Sequence, residues 1–328
     1  MAALGDTYLT LADKYKREDP DHKIAAIIEL LHETNDIISD AITVEGNLPT
    51  GHRTTVRTGL PSATWRKLYQ GVQPSKSTTK QVDDQAGMLE AYSQVDKSLA
   101  DLNGNTSAFR MSEAQAFVEA MNQEFVNTLI YGDTDADPEK YMGLAPRFNA
   151  ISADKTKSGY NIIDAGGAGS DNTSIWFVKW GPNTCHLMYP KGSMAGLTHN
   201  DLGEVTVTES DGSMWQAYRD HWKWDVGLTV RDWRGIARVA NVDVSEMAAG
   251  NVALDDFMIE AYYKVKKRPG NGVIYCNEQV MVALHKLAKD KANVNLTLRE
   301  FEGREVVSFL GYPVREAEAI LNTEAEIT

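Results

Sequence analysis

GNLPTGHRTTVRTGLPSATWRKLYQGVQPSKSTTKQV, residues 46–82, holds six basic residues (Arg53, Arg57, Arg66, Lys67, Lys76 and Lys80) and no carboxylate. The whole chain of 328 residues carries −13, so this stretch at +6 leaves −19 for the remainder. Thr, Val, Leu and Tyr alternate here with Gly46, Gly51, Gly59, Gly71, Pro49, Pro61 and Pro74, the punctuation of extended ribbon and turns rather than helix. Such a ribbon buries no core of its own and is opposite in charge to its body. It is expected to lie as an arm on another subunit, where complementary potentials attract. A solvated surface loop is the plainer reading, but loops of this length are uncommon in a compact domain.

The rest of the chain is long enough to bury a sizeable core, as one large domain or two moderate ones, and its hydrophobic fraction of 42% fits a folded protein. No apolar run approaches the roughly 18 residues of a membrane span, and the N-terminus MAALGDTYLT lacks a basic segment followed by an apolar one. The expectation is a soluble, cytoplasmically made protein without a membrane partner. Cys185 and Cys276 are too few for a disulfide framework and lack metal-ligand spacing, so both read as buried, inert thiols. The acidic balance, with a pI near 5.0, argues against sequence-independent nucleic-acid binding, which depends on neutralising phosphates. A container wall that must not hold its polyanionic contents would also be acidic, as are many ordinary cytosolic proteins.

Periodicity organises the remainder. Ile24, Ile27, Ile28, Leu31, Ile38 and Ile42 predict an amphipathic helix over 20–42, and Met88, Leu89, Tyr92, Val95, Leu99 and Leu102 a second over 85–102. Ser112, with Gln115 returning the bond, predicts the cap of a third helix whose stripe runs through Phe117, Met121, Phe125 and Leu129 to Gly132. From 173 to 245 the texture is β, with Asp211 and Gly212 as a hairpin signal and six of the seven tryptophans. From 251 helices and short strands alternate as a compact α/β lobe, with Asn277 placed to cap EQVMVALHKLAKDK. The fold class is α+β.

The candidate chemistry is thin. Asp133, Asp135 and Asp137 match the first ligand positions of a calcium loop, but Pro138 and Leu144 stand where its glycine and closing glutamate belong, so an acidic solvated loop is favoured. Gly166, Gly167 and Gly169 lack the bracketing strand and helix of a phosphate cradle and read as a turn. His186, His199 and His221 with Asp201 or Asp220 have the residue types of a metal or acid/base site, but their spacings match no motif, which favours strand-face histidines with ordinary hydrogen bonds. RDHWKWDVGLTVRDWRGIAR interleaves aromatic and basic residues as a base-stacking surface does. Asp220, Asp225 and Asp232 interrupt it, and cross-strand pairing of charges and indoles explains it better. No catalytic residue, cofactor or metal site is assigned.

The order of parts, together with ADLNGNTSAFRMSEAQAFVEAMNQEFVNTLIYG (100–132), SIWFVKWGPNTCHLMYPKG (174–192) and FLGYPVREAEAIL (309–321), resembles the major capsid protein of tailed bacteriophages, in particular the short-tailed type. The resemblance implies an N-terminal arm with a helix (1–45), an extended loop (46–82), a peripheral domain (83–250) with a spine helix over 112–131 and the β-rich segment, and an axial domain (251–328). One departure stands out: the peripheral strands come before the axial lobe instead of after it, which implies a rearranged connectivity with the chain ending in that lobe.

What the resemblance implies functionally is a structural subunit that self-assembles, through pentamers and hexamers, into an icosahedral phage head enclosing double-stranded DNA without binding it specifically. Its partners are then other copies of the chain, a separate scaffolding protein (the N-terminus lacks the long helical extension that serves some members as one), a portal and a decoration protein. It would reside in the virion capsid after assembly in the bacterial cytoplasm. Some members crosslink a lysine to an asparagine. Lys76 and Lys80 lie near the arm's base, but no asparagine or activating glutamate can be matched to them, so no crosslink is expected. The residues expected to contact a neighbouring subunit are Arg53, Arg57, Trp65, Arg66, Lys67, Leu68 and Tyr69. A metal-dependent hydrolase using the Asp133 cluster or the histidines, and a protein-cargo nanocompartment of the same fold, are the alternatives.

Overall fold

The structure is a computed structural model that describes residues 8–17, 33–288, 296–301 and 304–328. After α1 (Leu11–Lys16) and the single turn α2 (Ile37–Asp40), β1 (Thr43–Glu45) leads into the ribbon. There β2 (Gly51–Gly59) and β3 (Thr78–Gln85) pair antiparallel, as a two-stranded sheet of their own. The chain continues through β4 (Gly87–Asp96), α3 (Lys97–Asp101), the long helix α4 (Thr106–Tyr131), β5 (Ile162–Asp164), β6 (Asn172–Trp180), β7 (Cys185–Tyr189), β8 (Thr198–Thr208), β9 (Met214–Val230) and β10 (Ile236–Asp243). It closes with α5 (Val244–Ala249), α6 (Leu254–Val265), β11 (Asn271–Cys276), α7 (Glu278–Ala288), β12 (Leu296–Phe301), β13 (Arg304–Phe309) and β14 (Tyr312–Glu316). Outside the ribbon, the described strands join one 12-stranded sheet along the path β12, β13, β14, β11, β6, β7, β9, β4, with β1 on β7, β10 on β6, β5 on β10 and β8 on β9.

Strand β6 shows how the core is built. All nine of its residues, NTSIWFVKW, are buried, and because successive side chains point to opposite faces it feeds two cores at once. Trp176, Val178 and Trp180 enter one, with Phe125 and Leu129 of α4, Phe148 and Tyr275. Ile175 and Phe177 enter the other, with Met258 and Ala261 of α6, Leu284 of α7 and Phe309. The β texture expected over 173–245 is present, including the β8–β9 hairpin, where Gly212 takes φ +85° and Asp211 Oδ1 accepts the Ser213 amide.

Two helical expectations change and a third is described only in part. The stretch 85–102 is a strand through Asp96, not a helix: β4 pairs with β9 from Gly87↔Val226 to Asp96↔Ala217, and its exposure alternates with period two from Met88 to Ser93. Its apolar residues fit either period, and ten paired positions on a distant strand decide the matter. Helix α4 begins at Thr106 rather than Ser112, whose hydroxyl donates back to the Phe109 carbonyl (2.8 Å) inside the helix. The earlier start is drawn in by packing, since Phe109 is fully buried with Val95 and Ala100. The helix expected over 20–42 lies largely outside the described residues; in the part described only Ile37–Asp40 is helical, and Thr43–Glu45 is strand.

The α/β lobe forms its expected helices, and Asn277 Oδ1 accepts the Val280 amide at the start of α7 (3.0 Å). It is not walled off at residue 250, because β11 pairs antiparallel with β6 and α6 packs on the same core as β10. Nor does the chain end in the lobe, as the rearranged order implied. Residues after β14 return to the first core, with Ala317 and Ile320 buried there, and Glu324 locks them down. Its carboxylate accepts from Arg238 Nη2 (2.8 Å) and Ser174 Oγ, both buried on the sheet, and from the half-buried Tyr131 OH of α4 (2.5 Å).

Candidate assembly interface

The ribbon is a hairpin with a strand-paired shaft and a tip that is neither strand nor helix. From Gly51↔Gln85 to Gly59↔Thr78 the two strands are paired. Every residue from 60 to 76 is exposed. Trp65 and Tyr69 are 101% and 102% exposed, and Leu68 82%. Leaving a leucine in water forgoes about 1.5–3 kcal/mol of burial, and the tip does so at both Leu60 and Leu68.

The seven residues expected at the subunit contact therefore divide. Trp65, Arg66, Lys67, Leu68 and Tyr69 stand together at the tip, Arg57 is exposed on the shaft opposite Thr79, and Arg53 sits near the root. Arg53 already has a partner within the chain: its Nε and Nη2 donate to the two carboxylate oxygens of Asp83, each at 2.6 Å. That pair lies in register across the ribbon, and the Arg53 hydrogen bond to it is the main reason the Asp83 carboxyl is held below its ordinary range.

The root is buried and polar, and the charge pattern gave no sign of it. His52, Thr54 and Asp84 turn inward, and the His52 ring meets His186 of β7 edge-on at 5.6 Å. Arg147 Nη2 donates to Asp84 Oδ1 (2.8 Å) and to the Leu228 carbonyl (3.3 Å), tying the shaft to the body. The available signal was local: in Gly51, His52, Arg53, Thr54 and Thr55 every second residue after Gly51 is polar but small or uncharged, as the inward face of a half-buried strand requires. Burial, aided by His52 and Arg231, pushes the His186 imidazole down from its usual 6.5 to about 4, and burial likewise lowers His52. Above pH 6.5 His186 is neutral whether folded or unfolded. Between 6.5 and about 4 the unfolded chain takes up the proton more readily, so stability is lost as pH drops through that window. Thermal unfolding from pH 7 to pH 4.5 should show a steeper loss of midpoint for the native chain than for His186→Gln, and equal slopes would refute this.

The remaining candidates have structural work. His199, Asp201 and Asp220 do converge, but on Arg110 of α4: Nη2 reaches Asp201 Oδ1 (2.6 Å) and Asp220 Oδ1 (2.9 Å), and His199 Nε2 lies 2.9 Å from the same Asp220 oxygen. With the stacks of Phe117 on Trp222 and Phe125 on Trp224, this fastens α4 across the β4–β9–β8 sheet. His221 stacks on Tyr92 and pairs with Glu90. Asp133 accepts the Asp135 amide in an exposed turn, and Cys185 and Cys276 are fully buried, burial pushing the Cys185 thiol up to about 12.

This assembly of long helix, two-core sheet and projecting ribbon has known counterparts. The family model of the major capsid protein GP7 matches residues 19–328. No curated protein matches the chain. A chain in the near-atomic-resolution structure of bacteriophage Epsilon15 is 39% identical, over 100% of this chain and 99% of that one, with a TM-score of 0.80. The bacteriophage JBD30 capsid (9% identity, 88% of this chain and 92% of that one, TM-score 0.46) and the SrpI encapsulin of Synechococcus elongatus (9%, 72% and 96%, 0.45) are more distant. With the tailed-phage capsid fold and the role of a shell subunit in a phage head, the chain belongs to the GP7 major capsid protein family.

Proposed function

We propose that the chain builds an icosahedral phage head by laying the ribbon of one subunit on the acidic body of its neighbour within and between pentamers and hexamers. The observation that carries this is the fully exposed tip, in which Trp65, Leu68 and Tyr69 surround Arg66 and Lys67. Complementary potentials set the approach, and burial of the aromatic residues supplies the adhesion. In this division 1–45 is the N-terminal arm, 46–82 the extended loop, 83–250 the peripheral domain and 251–328 the axial domain, whose last residues, after β14, return to the first core.

The head encloses double-stranded DNA without binding it specifically, in keeping with a body at −19. Assembly takes place in the host cytoplasm with a separate scaffolding protein and a portal, and a decoration protein completes the exterior. The subunit performs no catalysis. Electron microscopy of the protein purified from cells that also make its scaffold should show closed shells. A small discrete oligomer as the largest species would sink the proposal.

A further inference from the structure

A cavity of about 220 Å³ opens at the root of the ribbon, against β1, β7 and β9. Leu187, Met188, Trp224 and Val226 give it apolar walls, and Asp225 is the one carboxylate in its lining. Oδ2 of that carboxylate lies 3.4 Å from Lys223 Nζ, but Oδ1 is buried with no hydrogen-bond partner among the described residues. A buried acceptor in this condition lacks the donor that would offset its desolvation.

The same chain leaves in water a side chain of matching chemistry. The Trp65 indole is a flat apolar ring with a single N–H donor, completely exposed at the tip. We propose that the Trp65 indole of one copy enters the root cavity of a second copy, its ring against Met188, which shares the Asp225 face of the sheet, and its Nε1–H donating to Asp225 Oδ1. This names the acceptor of the arm and so rests on the shell-subunit function proposed above.

Geometry excludes the chain's own tip as occupant. The eight steps from Gly51 to Gly59 of β2, at about 3.4 Å each, hold the start of the tip about 27 Å from the root, and pairing with β3 along that length keeps the shaft from folding back. A contact from tip to root is heterologous: each copy offers one of each, so it propagates around a ring or across a shell instead of ending in a dimer. Charge agrees, since Arg66 and Lys67 follow Trp65 directly and approach an acidic body. A second cavity, beside Tyr8 and Phe117, is more polar, and its Glu113 is already engaged by Arg17.

The test is a disulfide across copies, using Trp65→Cys with Ala195→Cys at the exposed rim of the cavity. Both native cysteines are fully buried. Oxidised shells of the double variant should lose most of the monomer band to a ladder on a non-reducing denaturing gel, and each single variant should keep it. Shells that form normally without a ladder overturn the inference and leave the shell-subunit function standing. Should the double variant not assemble, Trp65→Ala decides, because a normal yield of shells from it overturns the inference too. Absence of shells from the native chain would instead strike the shell-subunit function itself.

Discussion

Glu324→Ala is expected to destabilise the folded subunit by about 3–5 kcal/mol, the cost of removing one partner from a buried ion pair. Arg238 and Glu324 have side chains only 4% and 6% exposed. The guanidinium lies over the Trp176 ring at 4.8 Å and also donates to Ser174 Oγ (2.9 Å) and the Phe148 carbonyl (2.8 Å). Without Glu324 the cation keeps these neutral acceptors but no opposite charge, in a site from which it cannot reach water. Tyr131, whose hydroxyl donates to Glu324 and accepts the Leu321 amide, would lose its hold on the C-terminal segment as well. Replacing both members, Arg238→Met with Glu324→Leu, should cost less than Glu324→Ala alone, because no uncompensated charge remains. Urea unfolding of unassembled subunits measures both. A loss below about 1 kcal/mol for Glu324→Ala, the range of exposed pairs, would show that the latch contributes little.

Reversing Arg57, Arg66 and Lys67 to glutamate should abolish shell formation while leaving the unfolding midpoint of the free subunit unchanged. All three are exposed and none has an ion-pair partner among the described residues, so the fold loses nothing when they change. Each exposed pair contributes only about 0–1 kcal/mol, but the reversal turns attraction into repulsion at every copy of a repeated contact, and it acts on the encounter itself. Arg53 is excluded from this set because Arg53→Glu would face Asp83 across the ribbon and repel within the chain. Native assembly should also slow as salt rises from 50 to 500 mM, since exposed charges are screened over about 10 Å at 0.1 M. Normal particles from the triple variant, seen by microscopy and sedimentation, would refute the electrostatic part of the mechanism.

Much of this molecule was written locally. The β texture over 173–245, the helices after 251, the Asn277 cap and the arm with its exposed aromatic and basic tip were all legible, because each depends on a period, a turn residue or a charge imbalance within a short window. The start of α4 and the identity of β4 were not. Phe109 draws the helix back to Thr106, and β9, more than 100 residues away, claims Gly87–Asp96 as strand. Arg53 shows the same limit at the interface: its charge was visible, but its engagement by Asp83 required the ribbon's register.

The sequence by itself determined that an acid-free stretch, 46–82, of extended and turn-rich chain stands in an acidic protein, since composition and turn chemistry suffice for that. Only the tertiary structure decided where the ribbon is rooted, that Glu324 meets Arg238 across 86 positions, and that a cavity lined by Asp225, one oxygen of which has no hydrogen-bond partner among the described residues, lies at the end of the shaft opposite Trp65. The physical reason is that burial and strand pairing join residues whose separation in sequence no local pattern records.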